Sequence, residues 1–89
     1  MTLKIDQATR GELTVFVLSG SLEADQTLEL TRLLKLDTNQ RRIVLDLKEV
    51  RLVDRDGIKF LIRCKADGIR LENPPPYVRE WIERDLERK

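Results

Sequence analysis

Histidine does not occur anywhere in this 89-residue sequence, and cysteine occurs once, as Cys64. The first absence removes Ser-His and Cys-His nucleophile pairs and every imidazole metal ligand. The second removes any intramolecular disulfide, so the fold needs no oxidising compartment. An excess of one charge is missing too. Seventeen basic residues face sixteen acidic ones for a net charge of +1, whereas a duplex-binding protein carries a clear basic surplus, so nucleic acid is not the expected partner. Long apolar runs are also lacking. Val15-Phe16-Val17-Leu18 is far short of the roughly 18 residues that cross a bilayer, and Met1-Thr2-Leu3-Lys4 does not open a signal peptide. The expectation is a cytoplasmic protein that inserts in no membrane and carries no metal or cofactor.

What is present suits a small, charged globule, with 40% apolar and 37% charged residues. Residues 1–89 are expected to form one domain, with little surface to spare for a deep substrate cleft. Leu3 and Ile5 alternate with polar neighbours as a short edge strand, Gly11 marks a turn, and Leu13 to Leu18 forms a denser strand ended by Gly20 and Ser21. Glu23 to Lys35 places Leu30, Leu33 and Leu34 at helical spacing, Thr38 to Arg41 is a polar loop, and Ile43 to Leu47 is a second buried strand. A helix with Ile58, Leu61, Ile62 and Cys64 on its apolar side follows, stopped by Gly68, and Ile69 to Leu71 is a last strand. Beyond Asn73-Pro74-Pro75-Pro76, a final helix carries Val78, Trp81, Ile82 and Leu86 on one stripe. Arg79 with Glu83 and Glu80 with Arg84 are spaced to pair on its outer side.

The order β-β-α-β-α-β-α predicts an α/β fold with a mixed four-stranded sheet, the first strand antiparallel and the rest parallel. Parallel strands gather their C-terminal loops at one pole. Ser19 to Ala24, with Ser21 and Glu23, should therefore meet Val53 to Gly57 and Asn73 to Pro76 there.

Asp54-Arg55-Asp56-Gly57 is the most informative stretch of that pole. Asp54 can cap the open backbone N–H groups of a helix, Asp56 suits the positive end of its dipole, and Gly57 permits tight packing or an unusual backbone angle. The run from Ile43 to Leu61 goes further. It reads Ile-Val-Leu-Asp-Leu-Lys-Glu-Val-Arg-Leu-Val-Asp-Arg-Asp-Gly-Ile-Lys-Phe-Leu, and it resembles the signature of STAS domains, in which a Leu-Asp-Leu strand leads through a loop into Asp-Ser-Ser-Gly at a helix start.

The resemblance implies a STAS-type fold and a non-enzymatic role in docking protein partners. In the anti-sigma factor antagonists of that family, the serine before the glycine is phosphorylated by the partner kinase, which releases the antagonist. Asp54 and Gly57 match the family's residues, whereas Arg55 and Asp56 replace the two serines, and Asp56 falls on the phosphorylated one. A phosphoserine carries about −1.5 to −2 charges and Asp56 carries one, so two readings stay open. Either Asp56 imitates the phosphorylated condition, or the switch is lost and the fold is reused for static docking. Whether Ser19, Ser21 or Thr27 takes over as a phosphosite is open as well. The implied partner is an anti-sigma factor of the serine-kinase kind. Small STAS proteins also serve as accessory subunits of bacterial ABC lipid transporters, where the partner is an ATPase and no serine is required.

Arg55, Lys59 and Arg63 recur every four residues, either as a solvated face or as a docking strip for an acidic partner, with Lys48 and Arg51 as candidates nearby. Trp81 is expected to anchor the core, Cys64 to fill a small buried gap, and Asp46 to accept hydrogen bonds from the loop after its strand. An apolar strand before Asp-x-Asp-Gly also resembles the first motif of haloacid dehalogenase-type phosphatases, with Asp54 as nucleophile and Asp56 as acid/base. Only Lys59, Lys65 and Lys89 follow Gly57, and further acidic ligands on later strands are missing, so that site has no walls.

Overall fold

The computed structural model describes residues 3–35 and 42–87, the side chains as far as residue 85. The expected loop at Thr38 to Arg41 and the side chain of Leu86 lie outside the described residues. The elements run β1 (Leu3–Arg10), β2 (Leu13–Leu22), α1 (Ala24–Lys35), β3 (Ile43–Val53), α2 (Arg55–Ala66), β4 (Arg70–Glu72) and α3 (Pro76–Glu87). They form a mixed sheet in the order β1-β2-β3-β4, with β1 antiparallel to β2 and the other pairs parallel. This is the element order and strand sense that the hydrophobic pattern predicts.

Because side chains alternate along a strand, the register divides the sheet into two faces. One face presents Leu3, Ile5, Phe16, Leu18, Ile43, Leu45 and Leu47 to a core shared with Leu30 and Leu34 of α1, Ile58 and Leu61 of α2, and Val78 and Ile82 of α3. The opposite face carries Val15 and Val44 side by side, and Arg10 of β1 reaches Glu72 of β4 there at 2.8 Å. That ion pair ties the two edge strands together across the central pair.

The central strands are longer than the sequence pattern predicts. In β3 the expected strand ends at Leu47, yet pairing with β2 continues to Val53 through two irregularities. Val17 faces Asp46 but Ser19 faces Glu49, and Gly20 faces Val50 but Ser21 faces Leu52, so β3 takes one extra residue each time. The buried positions accordingly stop alternating after Leu47 and come every third residue, at Val50 and Val53. A polar loop and a bulged strand look alike at this spacing. On β2, Gly20 and Ser21 lie inside the strand rather than ending it.

Helix α2 ends at Asp67, whose N–H returns to the Arg63 carbonyl at 3.0 Å. Gly68 takes a φ of 97°, which a side-chain-bearing residue adopts only under strain, and lets Ile69 N–H reach Cys64 O at 3.0 Å. On β3, Asp46 accepts from Lys48 N–H at 3.0 Å and from Asn73 Nδ2 at 3.3 Å, so its carboxylate braces the strand it sits on and the elbow leading into α3. Arg79 and Glu83 pair at 3.7 Å as spaced, whereas Glu80 and Arg84 form no ion pair among the described residues.

Candidate interaction surface

The turn from β3 into α2 is built against the end of β2. Asp54 N–H donates to the Leu22 carbonyl at 3.3 Å, and its side-chain Oδ1 accepts from Gly57 N–H at 2.8 Å, closing the helix N-terminus from within. The backbone of Asp54 is extended there, with its carbonyl taking the Ile58 N–H at 2.9 Å. Gly57 is needed for closeness: a Cβ at this position would collide with the Leu22 carbonyl oxygen and stand 2.7 Å from Val53 Cγ1. Of the two roles expected for Gly57, tight packing is the one observed. Asp54 and Gly57 thus fix the turn by joining the parallel strands at their C-terminal ends.

The two residues between them point the other way. Arg55 and Asp56 are both exposed, as are Lys59 and Arg63 one and two turns on. The cation strip does not act as one face. Asp56, Lys59 and Arg63 border a groove shared with Thr27, Leu28 and Thr31 of α1. Arg55 and Lys59 border a second groove, shared with Trp81 and Arg84 of α3. Lys59 stands on the ridge between them.

The segment from Ser19 to Ala24 does reach this pole, since Leu22 is hydrogen-bonded to Asp54 and registers with Val53. Its side chains are less available than its position suggests. Ser21 is fully buried, so its hydroxyl is not on the rim. Glu23 is half-buried at the start of α1, where its carbonyl accepts from Thr27 N–H at 2.9 Å. The hydroxyls of Thr27 and Thr31 donate to the carbonyls of Ala24 and Thr27, each at 2.7 Å. Lys48 and Arg51 are exposed on β3, with the Arg51 carbonyl accepting from Tyr77 Oη at 3.0 Å.

Trp81 departs from expectation. It is 53% exposed, because Val78 and Ile82 already fill the buried side of α3. At roughly 100° per residue, position 81 falls on the flank of that pair, facing α2 rather than the sheet. Leu28, 66% exposed beside Asp56, was not singled out by the pattern, although it lies off the Leu30–Leu34 stripe. Cys64 is buried as expected. Burial pushes its thiol up to about 12, with Asp67 raising it further and Arg63 opposing. It is a packing residue, protonated throughout the neutral range.

Asp54 commits an oxygen to Gly57, and among the described residues no group of three acidic or cysteine side chains converges to hold a metal. No helix among them is long and apolar enough to cross a membrane.

No protein-family model and no curated protein sequence matches the chain. Solved structures do. The anti-sigma factor antagonist SpoIIAA in its unphosphorylated form matches with a TM-score of 0.70 at 18% identity, over 92% of this chain and 82% of that one. An antisigma-factor antagonist STAS domain from Rhodobacter sphaeroides matches with a TM-score of 0.54 at 11% identity, over 80% of this chain and 86% of that one. A structure of Mglu matches with a TM-score of 0.60 at 23% identity over 80% of this chain, which spans only 19% of that larger protein. The fold is therefore the SpoIIAA/STAS fold, as the Ile43 to Leu61 run implies.

Proposed function

We propose that this chain is a non-enzymatic, cytoplasmic docking domain that binds a protein partner at the start of α2, with Asp56 standing where antagonists of the SpoIIAA kind carry a phosphorylatable serine. The observation that carries it is the division of labour within four residues. Asp54 and Gly57 spend their contacts on the fold, while Asp56 is held outward in the first turn of a helix. A carboxylate there is favoured by the helix dipole, as a phosphate would be, with fewer oxygens and less charge. Leu28 and Arg63 beside it supply an apolar contact and a cation for a partner to meet, and Arg55, Lys59 and the backbone around Glu23 complete the rim. Ser21, buried, acts as support.

Asp56 keeps the surface in a state resembling the phosphorylated one. Removing the charge should therefore restore grip on an anti-sigma factor of the serine-kinase kind. The test is to place a photo-crosslinking residue at Leu28 in the native cell, identify the protein captured, and titrate it against wild type and Asp56→Ser by calorimetry. Tighter binding by Asp56→Ser supports the locked state; equal or weaker binding refutes it. Capture of a transporter ATPase would favour the accessory-subunit role instead, a reading supported by the missing hydroxyl at position 56.

A further inference from the structure

The groove between α2 and α3 makes no use of Asp56. Of the four large apolar side chains left exposed among the described residues, Trp81 lines it and Tyr77 lines a smaller hollow that adjoins it, with Ile58 as the buried floor of both. The part bordered by Trp81 and Arg84 has an open volume of about 370 Å³, and the hollow at Tyr77 about 210 Å³. Arg55, Lys59 and Arg84 rim it against Asp85 and, at the Tyr77 end, Asp54, whose Oδ1 already accepts from Gly57 N–H. Among the described residues none of these three cations is in an ion pair. Trp, Tyr and Arg are the residue types that dominate binding energy at protein interfaces, and exposed cations without an internal partner steer and orient an incoming carboxylate.

We propose that this groove is a second docking site, sharing Arg55 and the Lys59 ridge with the Asp56 surface but not Asp56 itself, and that it takes an acidic peptide segment of a partner protein. An apolar side chain of the segment packs on Ile58 between Tyr77 and Trp81, and flanking carboxylates pair with Arg55, Lys59 and Arg84. Two observations favour a peptide over a nucleotide or a lipid surface. The N–H group of Gly57 is already taken by Asp54, so the helix start has fewer donors left for a phosphate. The cations converge on a concave strip, while the neighbouring exposed surface of α3 carries Glu80, Glu83 and Asp85, which a negatively charged bilayer would repel.

Trp81 is the sole tryptophan, so its indole N–H gives one unmistakable resonance. The full chain, labelled with nitrogen-15, is titrated with the capped heptapeptide Asp-Glu-Leu-Asp-Glu-Phe-Glu. The same sequence with every acid made amide, and ADP, serve as comparisons. The expected result is saturable movement of the indole signal with a Kd of about 1 mM or tighter, weakened at least about tenfold by Arg84→Glu and by Trp81→Ala followed at the Tyr77 amide. Lys65→Glu changes the net charge equally but lies outside this groove, and Asp56→Ser lies on the other flank; both should leave the Kd within about twofold. An unmoved indole, equal binding of the amide peptide, equal weakening by Lys65→Glu, or preference for ADP would each overturn the proposal. Loss of binding in Asp56→Ser would do so as well, by merging the two surfaces.

Discussion

The inner and outer sides of α2 are built to opposite requirements. On the inner side Gly57, Ile58, Leu61 and Cys64 are all buried, and not even a methyl group fits at Gly57. On the outer side Arg55, Asp56, Lys59 and Arg63 are exposed, and none joins an ion pair among the described residues. Twelve consecutive residues thus serve two ends. The inner side locks the helix to the sheet at the pole where the parallel strands finish, and the outer side can change chemistry at little cost to the fold. Solvated charges contribute little to stability, so their identities are open to selection by a partner.

The largest effect expected from breaking this contrast is at Gly57. Gly57→Ala must push the start of α2 away from Leu22 and Val53, costing about 2–3 kcal/mol, or a fall in Tm of roughly 10–20 °C in a thermal melt. An unchanged Tm would mean that the inner side is not packed as tightly as the contact implies. Cys64 gives the next effect, and it depends on pH. Below the ordinary value of 9.0 the thiol is neutral whether the chain is folded or not. Between 9.0 and about 12 the unfolded chain loses the proton and the folded one keeps it, so stability falls with rising pH, by about 1.4 kcal/mol per pH unit. Denaturant melts at pH 8 to 11 should show that slope in wild type and its absence in Cys64→Ala. Asp54→Ala sharpens the comparison with the smallest stability cost, about 1 kcal/mol for the lost cap. Its signature is local: amide exchange at Gly57 should quicken while that at Leu61 tracks only the global loss.

Much of this was legible in the sequence because the relevant signals are local. The element order followed from apolar spacing, and the roles of Asp54 and Gly57 followed from residue chemistry at a helix start. The resemblance of Ile43 to Leu61 to STAS domains is matched by the fold. Four things were not legible, each for a tertiary reason. The bulges in β3 convert a spacing of two into a spacing of three, which reads as a loop until β2 is seen beside it. Ser21 looks like a surface hydroxyl, yet the same bulged pairing carries it inside. Trp81 lies within an apolar stripe, but stripe width depends on how closely α2 approaches α3, and Val78 with Ile82 suffice to fill the gap. The splitting of the cation strip into two grooves has the same origin, since a helix viewed alone does not reveal its neighbours.

The hydrogen bond from Asp54 to Leu22 also has a bearing on how the chain comes to be folded. The β1–β2 hairpin closes across two residues and can zip within microseconds, but Leu22 and Asp54 meet only after roughly thirty intervening residues have been looped back. Without that long-range contact the start of α2 has no fixed place beside the end of β2. The exposed rim at Arg55 and Asp56 therefore takes its shape only when parts of the chain far apart in sequence have come together.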